Sequence, residues 1–175
     1  MVDDRSDRVL IRAACDGDRD AAGALFTRHW QPAWRVAYGI TGRRALADDV
    51  AADAFERAFA ALARFDDRRP FAPWLHRIVV NRALDLLRAE RRLAGGELEL
   101  EAVEAPDGGE QGDAELLAAV QELPLQRRAV VLLRYGVGMT PADIATVLDV
   151  PVGTVHSRLA RALDQLRDEE HVDRP

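Results

Sequence analysis

The chain has 175 residues, 48% of them hydrophobic, which suits one ordinary domain or two small ones with a buried core. It contains no run of about 18 apolar residues, and its first residues are acidic and polar, so the sequence predicts neither a membrane span nor a signal peptide and indicates a cytoplasmic protein. It has one cysteine, Cys15, and no Cys/His cluster at metal-ligand spacing, so we expect no internal disulfide, no metal and no other cofactor.

The formal net charge of −6 is distributed unevenly along the chain. Residues 20–92 carry thirteen arginines against nine acidic residues, whereas residues 93–126 carry nine acidic residues and no basic one. The long N-terminal block is therefore basic, which is compatible with a nucleic-acid partner in spite of the acidic total.

Two helices are predicted in the first third of the chain. Apolar residues keep helical spacing from Asp18 to Ile40, where Pro32 lies between Trp30 and Trp34 and predicts a kink or a short break. A second amphipathic helix is predicted from about Ala45 to Arg64. Its polar face carries four carboxylates, Asp48, Asp49, Asp53 and Glu56. An acidic face of this kind is usually only solvated.

A polar loop bounded by aromatic residues follows, from Phe65 to Phe71, and a helix is predicted from Ala72 to Arg92. The basic face of that helix holds Arg82, Arg88, Arg91 and Arg92, beside Asn81 and Asp85. Arginines neutralise phosphates, and aromatic rings at the edge of a loop offer stacking surfaces for unpaired bases. The combination suits single-stranded DNA. The alternative is an aromatic core with a solvated arginine face.

Residues 93–113 lose the apolar period and are rich in glycine and acidic residues, which predicts a flexible linker. Helical patterns return from Ala114 and include a helix from about Leu125 to Tyr135, which Gly136 and Gly138 end.

The stretch from Thr140 to Leu166 predicts two short helices joined by a tight turn. Thr140 is the expected N-cap of the first helix, and the second is expected to begin at Pro151 or Val152, after a break at Asp149. One core stripe is formed by Val155, Leu159, Ala162 and Leu166. Off this stripe lie Thr154, His156, Ser157, Arg158 and Arg161, in the part of a recognition helix that meets base edges in helix-turn-helix proteins. An ordinary helical hairpin with a wet polar face is the alternative.

These segments resemble one family. The string MTPADIATVLDV followed by PVGTVHSRLARAL resembles the promoter-reading helix-turn-helix of bacterial RNA polymerase sigma factors, in particular the extracytoplasmic-function group of the sigma-70 family. FAPWLHRIVVNRALDLLRAERR is similar to the FxxWLxxIxxNxxxDxxR helix that melts the −10 promoter element in that family. ALADDVAADAFERAFAAL resembles the helix that docks on the polymerase clamp, and LPLQRRAVVLLRYGVGMTPADIA is similar to a second signature of the family.

The resemblance implies an all-α fold of two small helical domains. Residues 1–92 would be a sigma region 2-like domain, 93–113 a flexible acidic linker, and 114–175 a region 4-like helix-turn-helix domain. The implied function is promoter-specific transcription initiation without catalysis by the chain itself, through recognition of the −35 and −10 elements and help with promoter melting. The implied partners are core RNA polymerase (the clamp of its largest subunit and the flap of its second-largest), promoter DNA and an anti-sigma factor. The linker is either a simple tether or an acidic mimic of nucleic acid in the RNA exit path.

Site residues follow from the same resemblance. Those implied for the −10 element are Phe65, Arg68, Arg69, Phe71, Asn81, Arg82, Asp85, Arg88, Arg91 and Arg92. Those implied for the −35 element are Arg134, Thr154, His156, Ser157, Arg158 and Arg161. Core polymerase would bind Asp48, Asp49, Asp53 and Glu56. No residue is assigned to catalysis, because no nucleophile–base pair or phosphate-binding glycine loop occurs.

Three positions depart from the family pattern. Ala52 replaces a frequent glutamine, Asp149 replaces a glycine that many helix-turn-helix proteins have, and His156 replaces a more usual lysine or arginine. The base preference at His156 is therefore open. Two other functions also stay open, namely a stand-alone helix-turn-helix regulator and a sigma-like interaction module without initiation activity.

Overall fold

The computed structural model describes residues 4–93 and 118–172, and every regular element within these ranges is helical. The order is α1 (Asp7–Cys15), α2 (Arg19–Thr41), α3 (Arg44–Ala61), a 3-10 turn (Leu62–Arg64), α4 (Phe71–Leu93), a helical stretch at 118–122, α5 (Leu125–Val131), a π-helical turn (Leu132–Gly136), α6 (Pro141–Leu148) and α7 (Val152–Val172). The predicted all-α class is confirmed. The linker predicted for 93–113 lies outside the described residues, except for Leu93.

Helix α2 is the centre of the N-terminal half, since α1, α3 and α4 all pack against it. The Asp18 carboxylate caps its start by accepting hydrogen bonds from the backbone N–H groups of Asp20 and Ala21. Gly42, at a φ of 72°, ends the helix in the left-handed conformation. The core around α2 includes Leu10, Leu25, Tyr38, Val50 and Leu75. Burying a large apolar side chain stabilises a fold by roughly 1.5–3 kcal/mol.

The break predicted at Pro32 is wrong, because α2 runs through this residue without interruption. Proline removes one N–H from the hydrogen-bond ladder of a helix, which disfavours an interior position. Here the buried stripe resumes directly afterwards with Ala33 and Val36, so tertiary packing holds the helix together on both sides of the proline. Trp30 and Trp34 are half-buried and pack against the core, as predicted.

The predicted helix-turn-helix is present as α6, a tight turn and α7. Thr140 and Asp143 form a capping box, in which the Thr140 hydroxyl oxygen accepts from the Asp143 N–H at 3.2 Å. Asp149 ends α6 at a φ of 53°, a conformation that aspartate tolerates better than most residues. Helix α7 begins at Val152, directly after Pro151.

The helix predicted from Leu125 to Tyr135 divides into α5 and the π-helical turn. The N–H of Val137 donates to the carbonyl of Leu132 at 3.1 Å, five residues earlier, which is the π-helical spacing.

The two halves of the chain share one buried core. Helix α5 and the π-helical turn pack against α2, while α6 packs against α4. The helix-turn-helix therefore lies on the N-terminal helices.

Candidate nucleic-acid interface

Two aspartates hold the loop between the 3-10 turn and α4. Asp66 accepts a hydrogen bond from the backbone N–H of Arg68 at 3.2 Å and another from its guanidinium at 2.9 Å. Asp67 instead reaches α1, where its carboxylate lies 2.5 Å from Nε of Arg12 and 3.5 Å from Nε of Arg8. Hydrogen bonds from arginine side chains lower the pKa of both carboxyl groups. The shape of this loop therefore depends on α1.

Three aromatic rings bound the loop, and they differ in exposure. Phe71 is 2% exposed and packs edge-on against His29, with ring centroids 5.0 Å apart. Phe65 and Trp74 are half-buried, and their ring centroids are 4.6 Å apart. A base needs a free ring face for stacking. The structure therefore places Phe71 in the core, in contrast to its predicted place in the DNA-binding loop, and keeps Phe65 at the loop edge.

Helix α4 presents its predicted polar face to solvent. Asn81, Asp85 and Arg88 are exposed, and Arg88 is ion-paired to Asp85 at 3.2 Å. The exposed Arg92 donates to the carbonyl of Arg88 at 3.3 Å. The side chain of Arg91 lies outside the described part of the structure. Because exposed ion pairs are weak, a DNA phosphate can replace Asp85 as the partner of Arg88.

Two residues predicted for different surfaces contact each other. Nε of Arg82, predicted for the −10 element, lies 2.5 Å from Oδ2 of Asp53, predicted for polymerase. Asp53 also pairs with Arg57 at 3.0 Å. Arg82 is thus engaged with α3, whereas Arg68 and Arg69 in the loop are exposed.

The predicted acidic face of α3 is only partly free. Asp48 accepts a hydrogen bond from Nε1 of Trp34 at 2.7 Å. Asp49 and Glu56 are exposed, and within residues 4–93 and 118–172 neither forms an ion pair. Ala52 is exposed on the same strip, since 49, 52 and 56 recur at helical spacing.

The residues predicted on α7 lie off its buried stripe. His156, Ser157 and Arg161 are exposed, whereas Thr154 and Arg158 are half-buried. The Arg158 guanidinium donates to Oε1 of Gln126 on α5 at 2.8 Å, which ties the two helices together. The Ser157 hydroxyl donates to the carbonyl of Thr154 at 3.0 Å. Arg161 keeps its guanidinium at the surface.

Arg134 lies in the π-helical turn and is half-buried. Its Nη1 donates to the carbonyl of Met139 at 2.9 Å, one residue before the cap of α6. Arg134 thus braces the entry to the helix-turn-helix, while its other N–H donors remain suited to a phosphate.

Sequence reasoning missed two kinds of residue. The first is the anchor that Arg12 provides for Asp67. The second is Arg128, which is 5% exposed although arginine is rarely buried. A signal for Arg128 was present, because it stands three residues before Val131 and four before Leu132, on the apolar side of α5.

Comparisons with known proteins agree over most of the chain. Residues 25–93 match the family model for Sigma-70 region 2, and residues 113–166 match that for Sigma-70, region 4. The ECF RNA polymerase sigma factor SigM of Mycobacterium tuberculosis is 38% identical over 93% of this chain and 84% of its own length. The chain belongs to the extracytoplasmic-function group of the sigma-70 family. A second member, the ECF RNA polymerase sigma factor SigW of Bacillus subtilis, is 31% identical over 90% of this chain and 92% of its own.

Solved structures of sigma factors have the same fold. CnrH in complex with the cytosolic domain of CnrY matches 96% of this chain and 99% of its own with a TM-score of 0.74, at 30% identity. RpoE of Bartonella quintana, in complex with the anti-sigma factor NepR, matches 86% of this chain and 96% of its own with a TM-score of 0.75, at 22% identity.

Family membership establishes the function. This sigma factor directs promoter-specific transcription initiation by core RNA polymerase, as the family's initiation factors do. The region 2 match includes Ala52 and the region 4 match includes His156, so neither departure removes the chain from the family. In the described ranges of this sigma factor, no helix combines the length and the apolarity that a membrane crossing requires.

Proposed function

We propose that the two halves of this sigma factor divide the promoter between them. Residues 1–92 bind core polymerase and open the −10 element, residues 114–175 read the −35 element, and residues 93–113 connect them. One observation carries the proposal: His156, Ser157 and Arg161 are exposed on a helix whose other side is buried in a helix-turn-helix.

At the −35 element, Arg161 is the side chain best placed to fork to a guanine, because arginine presents two N–H groups in the geometry of the guanine edge. Ser157 and His156 lie beside it and contact neighbouring bases or phosphates. Arg158 is held by Gln126 and therefore positions α7 as well as reaching the backbone. Arg134 and Thr154 contact phosphates at the edge of the groove.

At the −10 element, the loop and the exposed face of α4 act together. Phe65 offers a partly free ring for an unstacked base, and Asn81 offers an amide that bonds base edges. The basic residues assigned to the strand backbone are Arg68, Arg69, Arg82, Arg88, Arg91 and Arg92, with Asp85 orienting Arg88. Phe71 is not assigned to DNA, because it is buried.

Core polymerase binds the acidic strip of α3 through Asp49 and Glu56. These carboxylates are exposed and complementary to a basic clamp, and charges of this kind mainly accelerate association. Asp48 and Asp53 stand beside them but already bind Trp34 and Arg82. The C-terminal half contacts the flap of the second-largest subunit. Polymerase supplies the catalysis, so the sigma factor is not an enzyme and works in the cytoplasm.

An anti-sigma factor is the further partner that we propose. RpoE has been solved with the anti-sigma factor NepR, and its fold matches most of this chain. Such a partner would cover Asp49 and Glu56, so it and core polymerase would compete for this sigma factor.

The division of the promoter is tested by two binding reactions with wild type and two variants. The probes are a duplex with the −35 element, and a complex of core polymerase and sigma factor with a single-stranded −10 oligonucleotide. Arg161→Ala should weaken duplex binding about 10- to 100-fold and leave the oligonucleotide unaffected. Asn81→Ala should do the reverse. Arg167→Ala is the matched control, because Arg167 is an exposed arginine of α7 that pairs with Asp164. Equal losses on both probes for either variant would contradict the division.

A further inference from the structure

The two halves of the chain are joined by a buried arginine. Arg128 of α5 is 5% exposed, and its Nη1 donates to the carbonyl of Ile40 at 2.9 Å. Its Nη2 donates to the carbonyl of Leu123 at 3.2 Å and also contacts the carbonyl of Gln121. Ile40 is the penultimate residue of α2, where carbonyls lack a helical partner and the helix dipole is negative. A cation from the C-terminal half thus caps a helix of the N-terminal half.

Close backbone packing surrounds this contact. Gln121 is 3% exposed, and its Nε2 donates to the carbonyl of Tyr38 at 3.5 Å. A Cβ added to Gly39 would lie 2.6 Å from both methyl carbons of Leu132, so the π-helical turn approaches α2 as closely as it does because residue 39 has no side chain. We call the contacts of Arg128, Gln121 and Leu132 with the end of α2 the interdomain latch.

The polar part of the latch can be exchanged for water. Arg128 bonds only to backbone carbonyls among its described partners, and both the guanidinium and the carbonyl of Ile40 would be hydrated if the halves separated. A hydrogen bond exchanged for bonds to water changes the free energy by only about 0.5–1.5 kcal/mol. An interface of this kind can open without unfolding either half.

Promoter geometry requires that it opens. A compact chain of 175 residues has a radius of gyration of about 16 Å and is thus about 40 Å across. The centres of the −10 and −35 elements are about 25 base pairs apart, which is about 85 Å of B-form DNA at about 3.4 Å per base pair. A chain with the latch closed therefore cannot contact both elements.

We propose that the latched arrangement is a resting form of this sigma factor, and that the contact between Arg128 and the end of α2 sets how readily the two halves separate to engage polymerase and promoter. This inference rests on the proposed division of the promoter. When only the open fraction binds a partner, the apparent dissociation constant is the intrinsic one divided by that fraction. Weakening the latch should therefore tighten the binding of core polymerase.

The test uses the full chain with two labels and three variants. One label is attached to the native Cys15, which is exposed in α1, and the other to a cysteine introduced by Asp168→Cys in α7. Gly39→Gln introduces a side chain that collides with Leu132 only when the latch is closed. Gly23→Gln is the matched control in the same helix, because a Cβ at Gly23 meets nothing within 4 Å. Arg128→Met removes the guanidinium by an independent route.

Distances between the labels are measured by single-molecule energy transfer on the sigma factor alone, and binding is measured by titration with core polymerase. We expect a single short distance for wild type and Gly23→Gln. We expect a long-distance population at least about tenfold larger in Gly39→Gln and Arg128→Met, with correspondingly tighter binding of core polymerase. Helical circular dichroism confirms that each variant is folded.

Unchanged distances in both folded latch variants, or an extended wild type, would overturn the latch. Longer distances without tighter polymerase binding would overturn its role as a resting form. Because the distances are measured without polymerase or DNA, failure of the promoter assignment would appear separately, as wild-type protein that binds core polymerase but reads no promoter.

Discussion

Nε of Arg12 in α1 lies 2.5 Å from Oδ2 of Asp67, fifty-five residues later in the chain, and thereby fastens the loop before α4 to the first helix. The same helix is held to α2 by Asp7, whose carboxylate contacts Arg28 at 2.6 Å and His29 at 2.9 Å. The loop proposed to capture the −10 strand is thus positioned by α1, a segment to which the family resemblance assigned no role.

Replacing Asp67 should slow promoter opening. Asp67→Asn removes the charge that Arg12 and Arg8 hold, so the loop becomes less well ordered before DNA arrives. We expect roughly a two- to fivefold slower opening of a duplex promoter, since exposed ion pairs are weak. Permanganate reactivity of −10 thymines measures the rate. Asp16→Asn, which removes an exposed carboxylate beyond α1, is the control. An equal defect on a promoter with a pre-melted −10 segment would exclude positioning of the loop as the cause.

Replacing Arg88 should change the salt dependence of −10 strand binding more than its sequence preference. Its guanidinium is proposed to neutralise one phosphate, so Arg88→Ala should lower the slope of log K against log salt by about 0.7. The loss should be similar for all strand sequences. The measurement is a titration of the polymerase–sigma complex with labelled oligonucleotides at several salt concentrations, with the exposed Arg19→Ala as control. A lost preference for one base with an unchanged slope would assign Arg88 to a base instead.

Reversing charge on the acidic strip of α3 should slow association with core polymerase. Asp49 and Glu56 are exposed, so Glu56→Arg replaces attraction to a basic clamp by repulsion at little cost in stability. We expect an association rate about tenfold lower at low salt, with the difference shrinking as salt is added. Stopped-flow fluorescence measures the rate. The same reversal at the exposed Glu122 serves as control, and an identical effect there would point to net charge as the cause.

Stability should fall as the pH drops from 6.5 towards 4, partly because of His76. His76 is 1% exposed, and desolvation by burial lowers its pKa to about 4 from an ordinary 6.5, more than the carbonyl of Ala72 raises it. The unfolded chain therefore binds a proton in this window that the folded chain does not. The cost to folding reaches up to about 3 kcal/mol at the acid end. It vanishes above the unfolded pKa.

Urea unfolding of wild type and His76→Leu at pH 7, 6 and 5 measures this effect. The variant should lose less stability than wild type between these values, while the exposed His156→Gln should follow wild type. Asp66 and Asp67 have pKa values below the ordinary 3.8, so they destabilise the fold only at lower pH and do not confuse the comparison. Parallel curves for His76→Leu and wild type would show that His76 is not responsible.

Local signals in the sequence predicted the elements well. The start of α6 followed from Thr140, the turn from Asp149 and Pro151, and the buried side of α7 from apolar residues at helical spacing. These features depend on residues within one or two turns of one another, so their physics is contained in short windows. Pro32 is the exception, because packing between helices overrode a local preference.

Contacts between distant segments could not be predicted in this way. The pairs Arg12–Asp67 and Arg82–Asp53 and the contact of Arg128 with Ile40 each join different helices. Spacing in the sequence places an arginine on a face, but only the packing of helices decides which carboxylate or carbonyl it meets. Phe71 shows the same limit, since its position at the end of a loop fits both a stacking ring and a core residue, and the structure buries it.

The most direct test of the division of the promoter is run-off transcription with core polymerase from the source organism, with and without this sigma factor, on a fragmented genomic template. We expect discrete start sites that require the sigma factor, share one −35 and one −10 sequence, and are lost with Arg161→Ala and with Asn81→Ala but retained with Arg167→Ala. Starts that persist in both of the first two variants would contradict the assignment of the −35 and −10 elements to α7 and α4. Tight binding of the isolated protein to a symmetric duplex, without any starts, would instead identify a stand-alone regulator.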